Sequence, residues 1–417
     1  MRSEEWRASG SGLRLGLDLG TTTLAGRLID GAGKCLAEGK LANPQSAFGS
    51  DIIRRLEAAR GGNAQKLQAL LAQGIGGLID DLLARAGRSR GEIAAAAAAG
   101  NPGICHLLRG LEVDSVLFPP HRPPDCAGVH LEPRGLGLDL PVSLYLFPLV
   151  SGYVGGDLVA FLFAEPEPAA STFFLDVGTN GEMALFADGR WWTTSVAAGP
   201  AFEGGGISCG MAAKAGAVEQ VRLDGDRLRL GVIGGGAPRG LCGSGLVEAV
   251  AAALEGGLMD PRGTLRDPGE VASHLSRYLV ESPEGNALRL YRDASVELRL
   301  TQEDVRNFQL AKGAVQAGAL CLLRRAGVAP EDLAAVVVTG AFGFSLASAA
   351  LKRVAMLPET MVDKVRFVPG GALAGVCRLL ADPEGPARAQ ALADRLKPYP
   401  LSGTPAFEQA FLAALDF

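Results

Sequence analysis

The sequence predicts an α/β protein built from two similar lobes, and three observations predict it. The chain has 417 residues, too many for one ordinary core at roughly 150 residues per domain. An apolar strand running into Asp-x-Gly-Thr occurs twice, as "LGLDLGTT" around Asp18 and as "FFLDVGTN" around Asp176. Each copy is followed by two more strand-like runs, so the same β-meander opens both halves. A spacing this wide means duplicated domains, because solenoid repeats run to roughly 20–50 residues.

The elements follow in order. A polar start, "MRSEEWRASGSG", precedes a buried strand "LRLGLDLG", its hairpin partner "TTTLAGRLID" and a third strand "GKCLAEGKLAN". Helical spacing then appears in "SDIIRRLEAAR" and in "AQKLQALLAQGIGGLIDDLLARAG", where Leu67, Leu70, Leu71, Ile75, Leu78 and Leu82 share a face. The alanine run 94–99 favours helix by propensity, yet it falls where an α/β alternation requires a strand, and it is read as a buried strand. Residues 119–141, with "PPHRPPD", form a surface excursion rich in proline and glycine. "VSLYLFPLV" returns as a strand, "GGDLVAFLFA" as a helix and "EPEPAAS" as the joint. The second meander is "TFFLDVGTNG", "EMALFAD" and "RWWTTSVAAG". These boundaries give a polar tail 1–12, a first lobe 13–165 and a second lobe 170–417 with an insertion around 215–300.

Composition excludes some partners. A net charge of −5 and 6% aromatic residues supply neither a basic stripe nor stacking platforms, so nucleic acid is not expected. No apolar run reaches the eighteen or so residues that span a bilayer, and the polar start is unlike a signal peptide, so a cytoplasmic protein without a membrane partner is expected. Seven cysteines scattered singly, with no C-x-x-C, argue for reduced thiols and against a disulfide frame or a local zinc or iron–sulfur site. The four histidines have no metal-ligand spacing and are assigned surface or capping roles. Trp191 and Trp192 point to opposite faces of their strand.

The repeated turn carries the chemistry. A strand that ends in Asp and turns through Gly-Thr offers backbone N–H groups and a hydroxyl to an anion, while the carboxylate can hold a hydrated Mg²⁺. One such string is as well explained by an ordinary hairpin in which Asp caps the turn. Two, each ending the first strand of a meander, point instead to opposed loops gripping a nucleoside triphosphate, with Asp18 and Asp176 as catalytic residues and Mg²⁺ ligands through water. Further on, "VVVTGAFGFSL" is a buried strand entering a Gly-x-x-Gly turn, which suits either a flat ligand or close helix–strand packing. Consecutive glycines Gly204, Gly205 and Gly206 beside Glu203 favour ligand contact, since bare backbone costs entropy. Cys242 precedes a helix and is read as a packed thiol.

With these runs in view, the sequence resembles the superfamily of acetate and sugar kinases, seventy-kilodalton heat-shock chaperones and actin, whose members have two ribonuclease-H-like lobes around an interlobe nucleotide cleft. Within it, "NPQSAFGSDIIRRL", "GNPGICHLLRGL", "SGYVGGD", "DVGTNGEMAL", "AGPAFEGGGISCGM", "GLCGSGLVEAV", "LTQEDVRNFQLAKGAVQAG" and "TGAFGFSL" are similar, in order, to the ATPase portion of the reductive activators of corrinoid proteins. The resemblance implies an ATPase that helps return a corrinoid from Co(II) to Co(I) in a methyl-transfer system. It places Gly20, Thr21, Thr22, Gly178, Thr179 and Asn180 at the phosphates, Gly340, Ala341, Phe342 and Gly343 along the adenosine, and "SGYVGGDLVAFLF" and "PGGALAGVCRLL" as connecting helices. Glu182 is either a second ligand sphere for the metal or an exposed hairpin charge. Gln309 and Lys312, at i and i+3, either reach the nucleoside or form a solvated face.

That family commonly carries a fused iron–sulfur domain, whereas here the first phosphate strand starts near residue 13 and no cysteine follows residue 380. A chain without its own iron–sulfur cluster is therefore expected, taking electrons from an external low-potential donor, acting on a corrinoid protein and forming a homodimer. A second departure is Gly370, near which the family tends to have asparagine. The competing readings are a small-molecule kinase on the same fold and a nucleotide-gated, non-catalytic partner protein.

Overall fold

The computed structural model describes residues 12–281, 285–342 and 346–417. The chain divides into two compact units. The first holds residues 1–169, 189–193 and 370–398, and the second holds the rest.

In the first unit, β1 (Leu13–Leu19), β2 (Thr23–Ile29), β3 (Cys35–Ala42), β4 (Ile93–Gly100), β5 (Val129–Leu131) and β6 (Leu144–Leu146) form one sheet in the order β3-β2-β1-β4-β6-β5. The β1–β2–β3 meander is antiparallel, while β1 and β4 are parallel with Asp18 level with Ala99. Both faces of β1 are covered, for a reason visible in its alternation. Leu15, Leu17 and Leu19 are fully buried on one face, where the helix Ala64–Ala86 lays down Leu67, Leu71, Ile75, Leu78 and Leu82. Each such side chain is worth roughly 1.5–3 kcal/mol of burial. On the other face Gly16 meets Leu373, Val376 and Cys377 of the helix Gly371–Ala381. The alanine run is indeed a strand: Ala96, Ala97, Ala98 and Ala99 are at most 1% exposed, small enough for helices on both sides of the sheet to approach.

Helix Gly371–Ala381 lies against helix Gly156–Ala164 so closely that a Cβ on Gly375 would fall inside the main chain of Ala160. Arg378 Nη1 donates to the carbonyls of Phe163, Ala164 and Glu165 at 2.9–3.0 Å, placing a cation on the negative end of the shorter helix. The stretch Ile52–Ala86 is long and apolar enough to cross a membrane by length and composition, although no single run in it is continuously apolar. Half of its apolar window is buried against this sheet, as a core helix requires.

The second unit repeats the opening. Strand β7 (Thr172–Val177) carries Asp176 into the turn, β8 (Asn180–Ala187) pairs back on it with Asp176 opposite Glu182, and β9 (Arg190–Ala197) follows, its residues 190–193 grouping with the first unit. Between them and the C-terminal half lie two three-stranded sheets. One comprises β10 (Ala217–Asp224), β11 (Arg227–Val232) and β12 (Gly240–Leu241); the other β13 (Leu279–Val280), β14 (Ala287–Arg292) and β15 (Glu297–Thr301). Helix Gly243–Glu255 packs on β10. Cys242 caps its N-terminus as a 2% exposed thiol. Then β16 (Ala335–Gly340) runs parallel to both β7 and β17 (Val365–Phe367), putting Thr339 level with Asp176. Helix Gln302–Ala326 starts with a capping box between Thr301 and Asp304 and packs against β8 and the helix Pro405–Ala413. Trp191 is buried and Trp192 half-buried, on opposite faces. His106 is 2% exposed and bonds the Pro102 carbonyl through Nδ1, so it is a core residue and not a surface one.

Candidate functional site

The first turn is built from behind. Gly20 closes it by donating to the Thr23 carbonyl at 3.1 Å, and a Cβ there would meet that same oxygen, so only glycine fits. Three residues from distant segments then hold the carbonyls. Asn43 Nδ2 donates to Gly20 O at 2.9 Å and Asn43 N to Thr22 O at 2.8 Å, while Arg55 Nη1 donates to Thr21 O at 2.6 Å. Asn101 Nδ2 donates to Thr21 Oγ1 at 2.9 Å, and its Oδ1 caps the helix Pro102–Arg109 through Ile104 N. Asn43, Arg55 and Asn101 are 0%, 1% and 6% exposed. In a trans peptide the C=O and the following N–H point opposite ways. Fixing the carbonyls of Gly20 and Thr21 inward therefore turns the amides of Thr21 and Thr22 to the opposite side, the arrangement that receives anions. Asp18 and Thr22 stand half-buried at this turn.

None of the three supporting residues was singled out from sequence. All lie in runs that carry the family resemblance, "NPQSAFGSDIIRRL" and "GNPGICHLLRGL", and a buried Arg or Asn inside such a run was the available signal.

The second turn is held differently. Gly178 N donates to Asn180 O at 3.0 Å, Gly199 N to Thr179 O at 2.9 Å and Ala341 N to Val177 O at 2.7 Å. Thr179 Oγ1 donates to the Glu203 carboxylate, whose other oxygen lies 3.7 Å from where a Gly178 Cβ would be. Gly340, at φ +100°, must be bare: a Cβ would collide with Val177 O and lie 2.6 Å from Asp176 Oδ1. The turn, Asp176, Glu203, Gly340 and Ala341 are thus brought together. Glu182 is 5% exposed, which removes the exposed-hairpin reading.

The glycine triplet has structural reasons of its own at two positions. Gly204, at φ +83°, backs onto the main chain of Met211, and Gly205 onto Pro200. Above Gly206 there is open space, and its carbonyl accepts from Asn307 Nδ2 at 2.9 Å. Phe342 is 3% exposed and packs edge-on against Phe202, itself edge-on to Phe308. Gly343 lies outside the described residues.

Gln309 and Lys312 do not form a solvated face. Gln309, 4% exposed, donates to Arg262 O and Leu415 O and accepts from Arg306. Lys312, fully buried, donates to the main-chain oxygen of Asp416, with its ammonium 5.0 Å from the Phe417 ring centre. Burial pushes the Lys312 pKa down to about 8, with Asp416 acting against it. Nothing local to the i, i+3 pair reveals that residues more than a hundred positions later cover it.

A carboxylate beside an anion-receiving turn repels phosphate unless a cation stands between them. That holds at both turns, so Asp18 and Asp176 suit a divalent cation carried with the phosphate. Among the described residues no group of three or more His, Cys, Asp or Glu is placed to hold a metal on its own.

Residues 13–166 match the RACo middle region, and residues 170–417 match the C-terminal domain of RACo, the ASKHA domain. The corrinoid activation enzyme RamQ of Eubacterium limosum is 30% identical over 375 residues, covering 87% of this chain and 63% of that protein. The [Co(II) methylated amine-specific corrinoid protein] reductase of Methanosarcina barkeri is 29% identical over 247 residues, covering 53% of this chain and 41% of that protein. The chain therefore spans less than two thirds of the length of these two curated relatives. A solved reductive activator for corrinoid, iron–sulfur protein superposes with a TM-score of 0.91 at 29% identity, over 98% of this chain and 67% of that one. With a matching domain on each side of residue 170, in the family's order, the chain belongs to the RACo family, its C-terminal part being the ASKHA domain.

Proposed function

We propose that the chain is the ATP-binding and ATP-hydrolysing part of a corrinoid protein's reductive activator, assisting return of Co(II) to Co(I) with electrons from a separate low-potential donor. The observation that carries this reading is the first turn, whose carbonyls are held from behind so that its amides can meet phosphate, in a chain of the RACo family. Both acidic turns serve one Mg·ATP. The amides of Thr21 and Thr22 and the Gly178–Asn180 turn bind phosphate oxygens, and Asp18 and Asp176 hold the metal's waters. Mg²⁺ supplies charge neutralisation on the phosphates. Gly340 and Ala341 border the nucleoside. Gly204, Gly205 and Gly206 border the same ligand. The protein is cytoplasmic in this reading and a homodimer, and light scattering on the purified chain checks the dimer.

ATP cannot supply an electron. It can favour a bound state of the partner in which a ligand that stabilises Co(II) is withdrawn, and a shift from 1:99 to 99:1 takes about 5.5 kcal/mol of differential binding. The test follows Co(II) reduction spectroscopically in an anaerobic mixture of the chain, a corrinoid methyl-transfer protein from the same organism and titanium(III) citrate. ATP-dependent acceleration, with phosphate release stimulated by the corrinoid protein, is expected. Reduction indifferent to the chain and ATP would overturn the activator reading, and absence of Mg·ATP binding would overturn the nucleotide reading.

A further inference from the structure

We propose that Arg55 is a positioning residue for phosphate, a buried cation whose charge is delivered to the ligand through the peptide group joining Thr21 to Thr22. The inference rests on the nucleotide reading above. Arg55 lies on the short helix Ile52–Ala58 and is 1% exposed. Its Nε donates to Gly49 O at 2.9 Å and its Nη1 to Thr21 O at 2.6 Å. Both partners are neutral carbonyls. Among the described residues no carboxylate forms an ion pair with it: the neighbouring Asp51 caps Arg54 N and pairs with the Arg54 guanidinium at 3.5 Å, attracting Arg55 only from farther away.

A guanidinium withdrawn from water is normally matched by a carboxylate, because an uncompensated buried charge is among the costliest features a fold can hold. Burial accordingly pulls the Arg55 pKa below its ordinary value. The missing counter-charge has an obvious place. The Thr21 carbonyl that receives the guanidinium belongs to the same rigid peptide as the Thr22 N–H, which points the other way. A donor on the oxygen of an amide polarises it and strengthens its N–H as a donor. Arg55 thus makes the turn more electropositive on its outer side without touching the ligand. Asn43, bonding the adjacent carbonyls, gives the turn the same orientation without charge.

A merely structural Arg55 would affect all ligands alike, whereas a positioning cation discriminates by phosphate charge. Calorimetry on the full chain with Mg·ATP and with adenosine separates the two. Arg55→Gln keeps an amide donor and removes the charge; ATP affinity should fall about tenfold or more while adenosine affinity stays within about twofold. Arg55→Lys should restore most of the difference. Equal losses for ATP and adenosine, or none, would overturn the proposal. Should Arg55→Gln fail to fold, a folded Arg55→Lys that has lost the preference for ATP overturns it as well. In the wild-type chain, Mg·ATP should slow hydrogen exchange at the Thr21 and Thr22 amides, and unchanged exchange there would also overturn it. If the wild type binds no nucleotide, the proposed function falls first; if it binds and Arg55→Gln is indistinguishable, only this inference falls.

Discussion

At the first acidic turn the side chain behind the backbone is a cation, Arg55; at the second the side chain beside it is an anion, Glu203. The two turns share Asp-x-Gly-Thr, yet their hydroxyls face different chemistry. Thr21 accepts a hydrogen from Asn101, so its own hydrogen remains to be given. Thr179 gives its only hydroxyl hydrogen to Glu203, so toward a ligand its oxygen can act only as acceptor or metal donor. A duplicated string therefore does not duplicate its surroundings: at the first turn the threonine hydroxyl can still donate, whereas at the second it is committed to a carboxylate.

The sharpest way to break that comparison is to remove the shared carboxylate. Asp18→Asn and Asp176→Asn should each lower ATP hydrolysis by about a hundredfold or more, and the double variant should be little worse if both serve one Mg·ATP. Full additivity in phosphate-release rates would mean separate sites. Next in size is Gly340→Ala, which adds a Cβ in a positive-φ position against Val177 O and Asp176 Oδ1. A loss of about 2–4 kcal/mol in denaturant unfolding is expected, with hydrolysis falling too. Glu203→Ala sharpens the division of labour. Freed of its acceptor, Thr179 becomes a donor, and the Mg²⁺ concentration for half-maximal hydrolysis should rise about tenfold while metal-free ATP binding is not weakened. An unchanged Mg²⁺ requirement would assign the second turn to phosphate alone.

The smallest effect concerns Lys312, whose folded pKa of about 8 lies below the unfolded value of 10.5. Between these values the unfolded chain binds more protons, so the stability of the wild type rises with pH across about 8 to 10.5 relative to Lys312→Met. The difference between the two should shift by on the order of 2–3 kcal/mol over that window, read from urea midpoints at each pH. A pH-independent difference would mean that the ammonium is not desolvated.

Legibility in the sequence followed the distance over which a feature is determined. The turns at Asp18 and Asp176 are local, since Asp, Gly and Thr adjoin along the chain, and they were readable. So was most of the core face of the helix Ala64–Ala86, through its spacing, although Leu70, expected on that face, is only half-buried and Ile79 and Leu83 are buried as well. The alanine run could be read as a strand only from its place between a helix and a turn, against its own propensity. Arg55 and Asn101 act on Thr21 from 34 and 80 positions away, and no periodicity records such a meeting. For the same reason nothing in the sequence decided between the two readings of Gln309 and Lys312, because their cover comes from Leu415 and Asp416.

The helix Gly371–Ala381, which covers Gly16 and lies on Ala160, also dictates an order of events during synthesis. A ribosome delivers β1 to β6 long before it delivers residue 371. Until then the face of β1 that carries Gly16 lacks this helix, and the main chain of Ala160 has no Gly375 to lie against it. The first unit is therefore completed last, after the whole of the Asp176 meander and its insertion have emerged. Its closing contacts span more than two hundred residues, and contacts so far apart in sequence form late because the long segment between them must close first.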